Sequence, residues 1–430
     1  MVRENWELVI VVLLVLGAVL GQSALLLIVI LLVTVVSIGW LWNRFVLRRV
    51  TYTRDFTEYR AFAGETVDVS VSLANPKPLP VPWLKAEDLF PTELTVIGRR
   101  LEPSNIPRRG YLTHTVSLGP YEGVRWNYTI ECDKRGFYFL GPAELSSGDI
   151  FGLFQQNQEI DTIDRLIVYP RVVGLPELGF PGKDPFGEQK AVQRIFEDPS
   201  RAIGVREYHP EDSLKRVHWK ATARHGDLQV KVYEPTITQQ LVVFLNVATF
   251  ARPWMGINPQ RQEQVISIAA STAFHATNRK FAVGLIANGS VPKSDQPIKV
   301  LPSRAPDQLT HVLEALAAVT SFATSSIDEL LKASSPSLAW GATFVVITAV
   351  VTDSLLSEMV RLREAGRRLV LVSTDPDFES AGPPGITVYH LPSTRIAFAG
   401  RWETTAEGTL DKDTEFRGRW DGNRAGKRES

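Results

Sequence analysis

The chain has 430 residues, with 47 basic and 47 acidic side chains, and 44% of its residues are hydrophobic. This length is sufficient for about two to three domains. A general nucleic-acid binder usually carries a basic excess, so the zero formal net charge argues against that class and we expect no nucleic-acid partner. A single cysteine, Cys132, excludes an intrachain disulfide and a cysteine-based zinc cluster.

The N-terminus is the most apolar part of the sequence. Between Trp6 and Trp42 the only charged residue is Glu7, and the run is interrupted by Gly21-Gln22-Ser23. A membrane-spanning helix needs about 20 apolar residues, so the run is too long for one helix and long enough for two. We predict a transmembrane hairpin in residues 1–45, with helices at about 6–20 and 24–42. A cleaved signal peptide and a single long, tilted helix stay open as alternatives.

Basic residues follow the second apolar segment. Arg44, Arg48, Arg49 and Arg54 come after it, whereas the turn between the two segments has no charge. The positive-inside rule therefore predicts a cell-membrane protein with two spans, with the bulk of the chain in the cytoplasm. The lipid bilayer is the first expected partner.

Residues 46–170 alternate between apolar and polar positions with a period of two. The pattern is clear at Val67–Leu73, Leu112–Leu118 and Trp126–Cys132, and turn-rich sequences separate these segments. Short alternating strands at this spacing predict an all-β, sandwich-like domain that acts as a structural spacer. We expect the aromatic side chains of Gly136–Pro142 and Asp149–Phe154 to plug the sandwich or its joint to the next domain.

The pattern changes in the second half of the chain. Residues 171–203 are rich in Pro and Gly and predict a linker. In residues 236–400 short apolar runs alternate with amphipathic segments, which predicts an α/β doubly wound domain with a mostly parallel sheet. Its predicted strands are Leu241–Val247, Phe281–Ala287, Thr343–Val351, Leu369–Ser373 and Ile386–His390, and its predicted helices are Gln262–Asn278, Asp307–Val319 and Asp353–Ala365. The polar tail, 401–430, is predicted to be disordered.

Asn246, Ala248 and Phe250 lie at the end of the first predicted strand of this domain, where ligands of doubly wound sheets bind. The region resembles a von Willebrand A-type domain, whose Asp-x-Ser-x-Ser motif holds a divalent metal at these three positions. An Asn offers only a neutral oxygen, and Ala and Phe offer none, so we expect a degenerate motif without a metal. Thr249 and Asp353 are the remaining oxygen donors that a weak site would use.

The segment 204–235 contains the densest group of charged and aromatic side chains. Its prominent residues are Arg206, Glu207, Tyr208, Asp212, Arg216, Trp219, Lys220 and Arg224. Their order resembles the signature of the domain-of-unknown-function fifty-eight family, except that Glu211 stands where the family usually has Gly. The resemblance extends over nearly the whole chain and implies a MoxR-type AAA+ ATPase as partner. It implies no established reaction, and Ile150 replaces the Pro of the family's upstream Asp-Pro-Phe-Gly pattern.

Several roles for this signature segment are compatible with its residues. The charged groups would form an ion-pair network with Tyr208 and Trp219 packed beneath it, or the same groups would form a protein-docking surface. Polyanion binding and catalysis are further alternatives, the latter because three histidines lie close together: His209, His218 and His225. The strand at 228–232 is expected to enter the distal sheet, which would make the segment a hinge.

The sequence thus favours a membrane-anchored, non-enzymatic interaction or assembly protein, an adaptor for a MoxR-type ATPase, with no cofactor. The alternative is a membrane-bound hydrolase, or a divalent-metal-dependent binding protein, that uses the Asp212 and His218 region.

Overall fold

The computed structural model describes residues 23–180, 197–210, 212, 217–235, 239–292, 294–378, 382–391 and 416–419. By its internal contacts the chain divides into two compact units. The first comprises residues 1–171 and 399–430, and the second comprises residues 172–398. The protein is therefore multidomain, with a β-rich first unit that carries an apolar N-terminal helix, and an α/β second unit.

The N-terminal helix α1 covers Ser23–Val46. Its 20-residue section Leu27–Val46 has a mean hydropathy of 1.9, and only 11% of its most apolar window is buried. By length and composition this helix could be a membrane anchor or a signal sequence. The first helix of the predicted hairpin lies outside the described residues. The described helix also continues past its predicted end, and Val46 joins the core of the β-rich unit.

Twelve strands lie between residues 23 and 171. They are β1 (Thr51–Phe56), β2 (Arg60–Phe62), β3 (Glu65–Asn75), β4 (Val81–Pro91), β5 (Thr95–Val96), β6 (Glu102–Pro103), β7 (Arg109–Leu118), β8 (Glu122–Cys132), β9 (Gly136–Leu140), β10 (Ala143–Gly148), β11 (Gln155–Ile160) and β12 (Asp164–Tyr169). One antiparallel sheet has the order β1-β3-β8, with β5 also paired to β8, and a second has the order β11-β10-β4-β7-β6. A smaller sheet has the order β2-β12-β9.

The two larger sheets share one hydrophobic core. The alternation predicted from the sequence is seen directly, because Val67, Val69 and Val71 of β3 are buried while Asp68 is exposed. These valines belong to the same buried cluster as Leu84 of β4. Burial of one face of each sheet against the other accounts for the period of two.

A buried ion pair lies between the sheets. Arg54 is one of the basic residues on which the predicted orientation depends, but its side chain is fully buried on β1 and donates to both carboxylate oxygens of Asp88, at 2.5 and 2.6 Å. Tyr52 donates to the same carboxylate, and Asp164 accepts from Arg54 Nε at 3.0 Å. Arg54 therefore stabilises the β-rich unit, and it does not support the predicted orientation.

The turn between β10 and β11 also differs from the prediction. Of the aromatic side chains expected to plug the sandwich, Tyr138 is buried in its core, whereas Phe139 is 45% and Phe151 52% exposed. Ile150 and Leu153 beside Phe151 are also exposed, at 59% and 41%. Asp149, in contrast, is buried.

The predicted linker and the predicted disordered tail both contain ordered segments. Val173 N donates to Ser271 Oγ, and Phe180 packs on Tyr389 with ring centroids 5.1 Å apart, so residues 172–180 pack on the second unit. The last part of the predicted linker belongs to strand β13 (Glu197–Glu207). In the tail, Phe416–Arg419 forms a strand that pairs antiparallel with β8.

The second unit continues with α2 (Trp219–His225), β14 (Gln229–Pro235), β15 (Gln240–Leu245), α3 (Pro259–Asn278), β16 (Ala282–Ala287), β17 (Ile298–Ser303), α4 (Gln308–Ala318), α5 (Ile327–Ser334), β18 (Thr343–Thr348), α6 (Asp353–Glu364), β19 (Arg368–Ser373) and β20 (Thr387–His390). The main sheet has the order β17-β16-β15-β18-β19-β20. All neighbours are parallel except β17, which pairs antiparallel with β16. Strand β17 and helix α5 were not predicted.

Helices cover both faces of this sheet. Val242, Phe244 and Phe344 pack in one cluster with Leu331 of α5 and Met359 of α6. Successive residues of a strand point to opposite faces, so the residues of β15 that alternate with Val242 and Phe244 lie on the other face of the sheet. Helix α3 covers that face and contacts β15, β16 and β18. The predicted α/β doubly wound architecture is therefore present.

Local sequence explains where the helices of this unit begin. At the start of α3, the Asn258 side chain accepts hydrogen bonds from the amides of Gln260 and Arg261, and Pro259 occupies the first helical position, where its missing N–H costs nothing. Thr352 caps α6 in the same way, by accepting from Leu355 N. These caps fix the loops at the carboxyl edge of the sheet.

Candidate interaction site

The signature segment forms a two-stranded ribbon with a short helix. Strands β13 and β14 pair antiparallel, with Glu207 opposite Gln229 and Gly204 opposite Val232. Helix α2 follows β13 and precedes β14 in the chain, and Val217 makes an isolated bridge to Val230. We expected the strand at 228–232 to enter the distal sheet. Within the described part of the chain this strand pairs with β13 and is separate from the six-stranded sheet, so that expectation is wrong.

Helix α2 is closely bound to the ribbon. His218 Nδ1 accepts from Ala221 N at 3.1 Å and so caps the helix, while His218 N donates to Gln229 O at 2.7 Å. At the other end, Gly226 adopts a φ of 84°, a conformation that glycine adopts without strain, and its N–H donates to Thr222 O. Thr222 Oγ1 in turn accepts from Gln229 N at 3.0 Å. These bonds hold the first turn of α2 at a fixed position on the ribbon.

Asp212 organises the turn that follows β13. Both of its oxygens accept from Arg206, at 2.6 Å each, and Oδ2 also accepts from His209 N at 2.9 Å. Hydrogen bonding by Arg206 lowers the pKa of Asp212 to about 2. An acid of this strength is a poor general base near neutral pH, so its geometry fits a structural role in the turn.

The predicted site residues divide into bonded and exposed groups. Arg206 and Asp212 pair with each other, Tyr208 is half-buried and donates its N–H to Leu228 O, and Glu207 is exposed. Arg216 lies outside the described residues. Trp219, which the ion-pair-network alternative places beneath the charged groups, has 69% of its surface exposed, so that alternative does not describe its side chain.

The exposed aromatic and charged residues of α2 lie on two adjacent faces of the helix, because Trp219 and Lys220 are consecutive and about 100° apart around its axis. Trp219 occupies the first turn, and Lys220 and Arg224 are exposed and four residues apart, which places them on the same face of the helix. We call these three residues the signature surface. It combines a large aromatic side chain with two cations on a backbone fixed by the cap and ribbon bonds described above.

The carboxyl edge of the parallel sheet contains a buried network of neutral groups. Asn246 Nδ2 donates to Thr348 Oγ1 at 2.9 Å, and Asn288 Nδ2 donates to Asn246 Oδ1 at 2.8 Å. Asn246 Oδ1 also accepts from Ala248 N at 3.1 Å. The amide and hydroxyl groups therefore satisfy one another. Asn288 was not recognised from the sequence, although it directly follows the buried strand β16 as Asn246 follows β15.

The oxygen donors at this edge do not fit a divalent metal. Asp375, also unrecognised from the sequence, is the buried carboxylate of this edge, but its oxygens accept from Val351 N at 2.9 Å and Asp377 N at 3.2 Å. Thr249 Oγ1 accepts from Asn258 N. Of the remaining expected donors, Asp353 is exposed in the first turn of α6, and Ala248 and Phe250 have no side-chain oxygen. Mg²⁺ requires several free oxygen ligands, so no step is assigned to a metal here.

Solved structures with some likeness to the chain are too distant for any argument about its fold or function. The CARDB domain of a Pyrococcus furiosus protein, solved with di-metal ions, aligns with a TM-score of 0.18 at 16% identity, over 28% of this chain and 93% of that one. The Ro (RSR) protein of Deinococcus radiodurans aligns with a TM-score of 0.24 at 16% identity, over 37% of this chain and 33% of that one.

Sequence comparison gives more extensive similarity. The uncharacterized protein YeaD of Bacillus subtilis is 22% identical over 361 residues, which cover 81% of this chain and 82% of YeaD. This alignment indicates a shared organisation over most of both chains. Residues 204–377, which begin at Gly204 within the signature ribbon and include most of the parallel sheet, match the family described as Protein of unknown function DUF58.

Proposed function

We propose that this chain is a membrane-anchored, non-enzymatic interaction or assembly protein, in which the signature surface docks a partner protein. The partner class that the family resemblance implies is a MoxR-type AAA+ ATPase. In this proposal α1 and a preceding helix in residues 6–20 span the cell membrane, and the two globular units are cytoplasmic.

The exposure of Trp219 is the observation that carries the docking proposal. Trp and Arg are the residues most enriched among the energetic anchors of protein interfaces. A tryptophan with 69% of its surface exposed, on a helix whose backbone is already fixed, loses little conformational freedom on binding. Lys220 and Arg224 beside it favour an acidic surface on the partner.

The organisation of the second unit supports a von Willebrand A-like domain as the scaffold. Numbered from β15, its six strands have the order 3-2-1-4-5-6, the doubly wound arrangement in which ligands bind at the carboxyl edge. At the point where the strand order reverses, Asn246 and Thr348 bond to each other. This neutral edge favours binding of a protein over metal-dependent chemistry.

The Asp212 carboxylate and the His218 imidazole, on which the hydrolase alternative depends, both make structural hydrogen bonds. The carboxylate of Asp212 is bound by Arg206, and the Nδ1 atom of His218 caps α2. A hydrolytic site needs a base near its substrate and a nucleophile or metal that the base activates. Asp212 instead holds the turn after β13 and His218 caps α2, so their geometry favours the interaction role.

A binding titration tests the proposal. The full chain is placed in lipid nanodiscs, and a purified MoxR-type ATPase from the same organism is titrated onto it. Truncating an energetic anchor costs 2 kcal/mol or more, which corresponds to roughly 30-fold in affinity, so Trp219→Ala is expected to weaken binding by about that factor. Arg224→Glu is expected to weaken binding and reduce the dependence of the association rate on salt.

Trp254→Ala is the matched control, because Trp254 is also a highly exposed tryptophan of the same unit, in the loop after β15. It is expected to leave the affinity unchanged. No detectable binding of the ATPase would refute this partner class. An effect of Trp254→Ala without an effect of Trp219→Ala would move the docking surface to the carboxyl edge of the sheet.

A further inference from the structure

The turn between β10 and β11, residues Asp149–Phe154, lies against helix α1. At Gly39 a Cβ atom would approach Asp149 Oδ2 to 3.2 Å and Phe154 Cδ2 to 3.5 Å. Helix α1 also contacts both strands that the turn connects. We call Asp149–Phe154 the apolar turn. Its position beside the helix is therefore fixed by close packing at a glycine, within the β-rich unit.

The apolar turn exposes hydrophobic side chains on a backbone that is largely bonded internally. Ile150, Phe151 and Leu153 point outward. The buried Asp149 carboxylate accepts from Phe151 N at 2.9 Å and from Phe154 N at 2.6 Å, and Asp149 O accepts from Gly152 N at 3.3 Å. Internal bonding of this kind lowers the cost of moving a turn out of water. The only charge of the turn is thereby kept away from its outer surface.

The helix residues beside the turn mark the change from an apolar to a basic surface. Exposed apolar side chains of α1 extend from Leu27 to Leu41. Trp40 directly follows Gly39, and the Arg44 guanidinium lies over its ring at 5.6 Å. Tryptophan and arginine are typical of the boundary between the acyl chains and the headgroups. Gly39 and Arg44 are five residues apart, which corresponds to about 8 Å along the helix. The apolar turn packs at Gly39 and therefore lies at the level of this boundary.

We propose that the apolar turn is a second membrane contact, in which Ile150, Phe151 and Leu153 insert into the lipid leaflet beside α1. This inference rests on the proposed membrane anchoring of α1. The bilayer is the occupant because the exposed apolar surface of the turn is continuous with that of the helix, and because the turn is uncharged where it would enter lipid. Two contacts with one leaflet, unlike a single helix, restrict the tilt and rotation of the β-rich unit.

Fluorescence quenching by lipids tests the insertion. The full chain carries a single introduced cysteine, Phe151→Cys, or Ile150→Cys as an independent second variant, labelled with an environment-sensitive fluorophore. The native Cys132 is buried, and burial raises the pKa of its thiol to about 11, so it stays unlabelled at neutral pH. The labelled protein is reconstituted into phosphatidylcholine–phosphatidylglycerol vesicles, with or without phosphatidylcholine that carries a nitroxide near the ester end of its acyl chain.

Two further positions serve as controls. Ile106→Cys places the label at an apolar position of the same unit that is 48% exposed. It precedes β7, whose Arg109 pairs with Pro91 at one end of β4, whereas Ser147 near the end of β10 pairs with Leu84 of β4. Seven residues of strand separate Pro91 from Leu84, or about 23 Å. Leu31→Cys places the label in the middle of α1, about 12 Å deeper than Gly39, and its quenching is measured with phosphatidylcholine that carries the nitroxide near the methyl end of its acyl chain.

The expected result is strong quenching at positions 150, 151 and 31, several-fold greater than at position 106. Quenching at 31 with none at 150 and 151 would overturn the membrane contact of the turn and leave the anchoring intact. Emission from 151 that is shifted to the blue but not quenched by the nitroxide would mean that a second copy of the chain covers the turn, and it would overturn the lipid assignment. Absence of quenching at 31 would refute the anchoring itself.

Discussion

Replacement of Arg54 by Met is predicted to destabilise the β-rich unit strongly. The Arg54 side chain is fully buried and bonds to both oxygens of Asp88, to Asp164 and to the carbonyl of Leu140. Methionine fills a similar volume without a charge. The Asp88 carboxylate would then be buried with only the Tyr52 hydroxyl as a donor among these partners.

The magnitude follows from the burial of both partners. Breaking a buried pair by removing one partner costs about 3–5 kcal/mol, because the remaining charge is uncompensated. The double variant Arg54→Met/Asp88→Asn removes that charge and keeps an oxygen that accepts from Tyr52. We therefore expect the double variant to recover about 2 kcal/mol relative to Arg54→Met alone.

Calorimetry of the full chain in detergent measures this difference. For a unit of about 150 residues, 1 kcal/mol corresponds to about 2–4 °C, so Arg54→Met is expected to lower the unfolding midpoint by about 6–20 °C. The pH dependence has a defined sign. Burial already raises the pKa of Asp88, and loss of Arg54 raises it further, so the folded state binds a proton more readily than the unfolded state. The deficit of the single variant should therefore shrink as the pH falls toward about 4.

The reasoning would be refuted if the double variant were as unstable as Arg54→Met, or if the deficit of the single variant grew on acidification. Either result would mean that the loss reflects packing of the Arg54 side chain and not an unpaired Asp88 charge. Asp68→Asn, at an exposed position of β3, is a control that should leave the midpoint nearly unchanged.

Three further predictions concern other polar groups. Lys77 is buried, and desolvation lowers its pKa to about 8, so Lys77→Met should stabilise the chain by about 1–3 kcal/mol at pH 7 in denaturant titrations, with a gain that declines as the pH rises from about 8 to 10.5. Asn246→Asp loses the donor to Thr348 and buries a charge, so calorimetry should show a loss of about 3 kcal/mol; an unchanged midpoint would contradict the neutral network. Asp212→Asn should speed hydrogen exchange at His209 N. In the unaltered chain, carboxyl NMR should show that the hydrogen bonds to Asp212 are present above about pH 4 and are lost as the pH falls through about 2.

The regular elements could be predicted because their patterns are local. The valines of β3 alternate with polar residues, and the apolar run that ends at Leu245 is typical of a strand buried on both faces. The sequence also placed Asn246 at the carboxyl end of the first strand of the α/β unit, where it lies directly after β15. What it could not provide was the pairing of distant segments. Asn288 and Asp375 reach the same edge only because β16 and β19 lie in one sheet with β15.

The errors share a physical cause, which is that residue type does not determine environment. Arg54 has the same chemistry as the arginines at the end of the apolar helix but faces a core aspartate 34 positions further along the chain. Trp219 and Phe151 have side chains that are usually buried, yet both are exposed. The alternation pattern of a strand does not identify the neighbouring strand with which it pairs. For this reason β14 was expected in the main sheet, although it pairs with β13.

Photocrosslinking in native membranes tests the central claim most directly. A photoreactive phenylalanine derivative replaces Trp219 in one variant and Trp254 in another, and crosslinked products are identified with an antibody against the MoxR-type ATPase of the same organism. If the signature surface docks this ATPase, position 219 yields a crosslinked product of the combined mass and position 254 does not. Equal crosslinking at both positions, or none at 219 while the ATPase is present, would contradict the account.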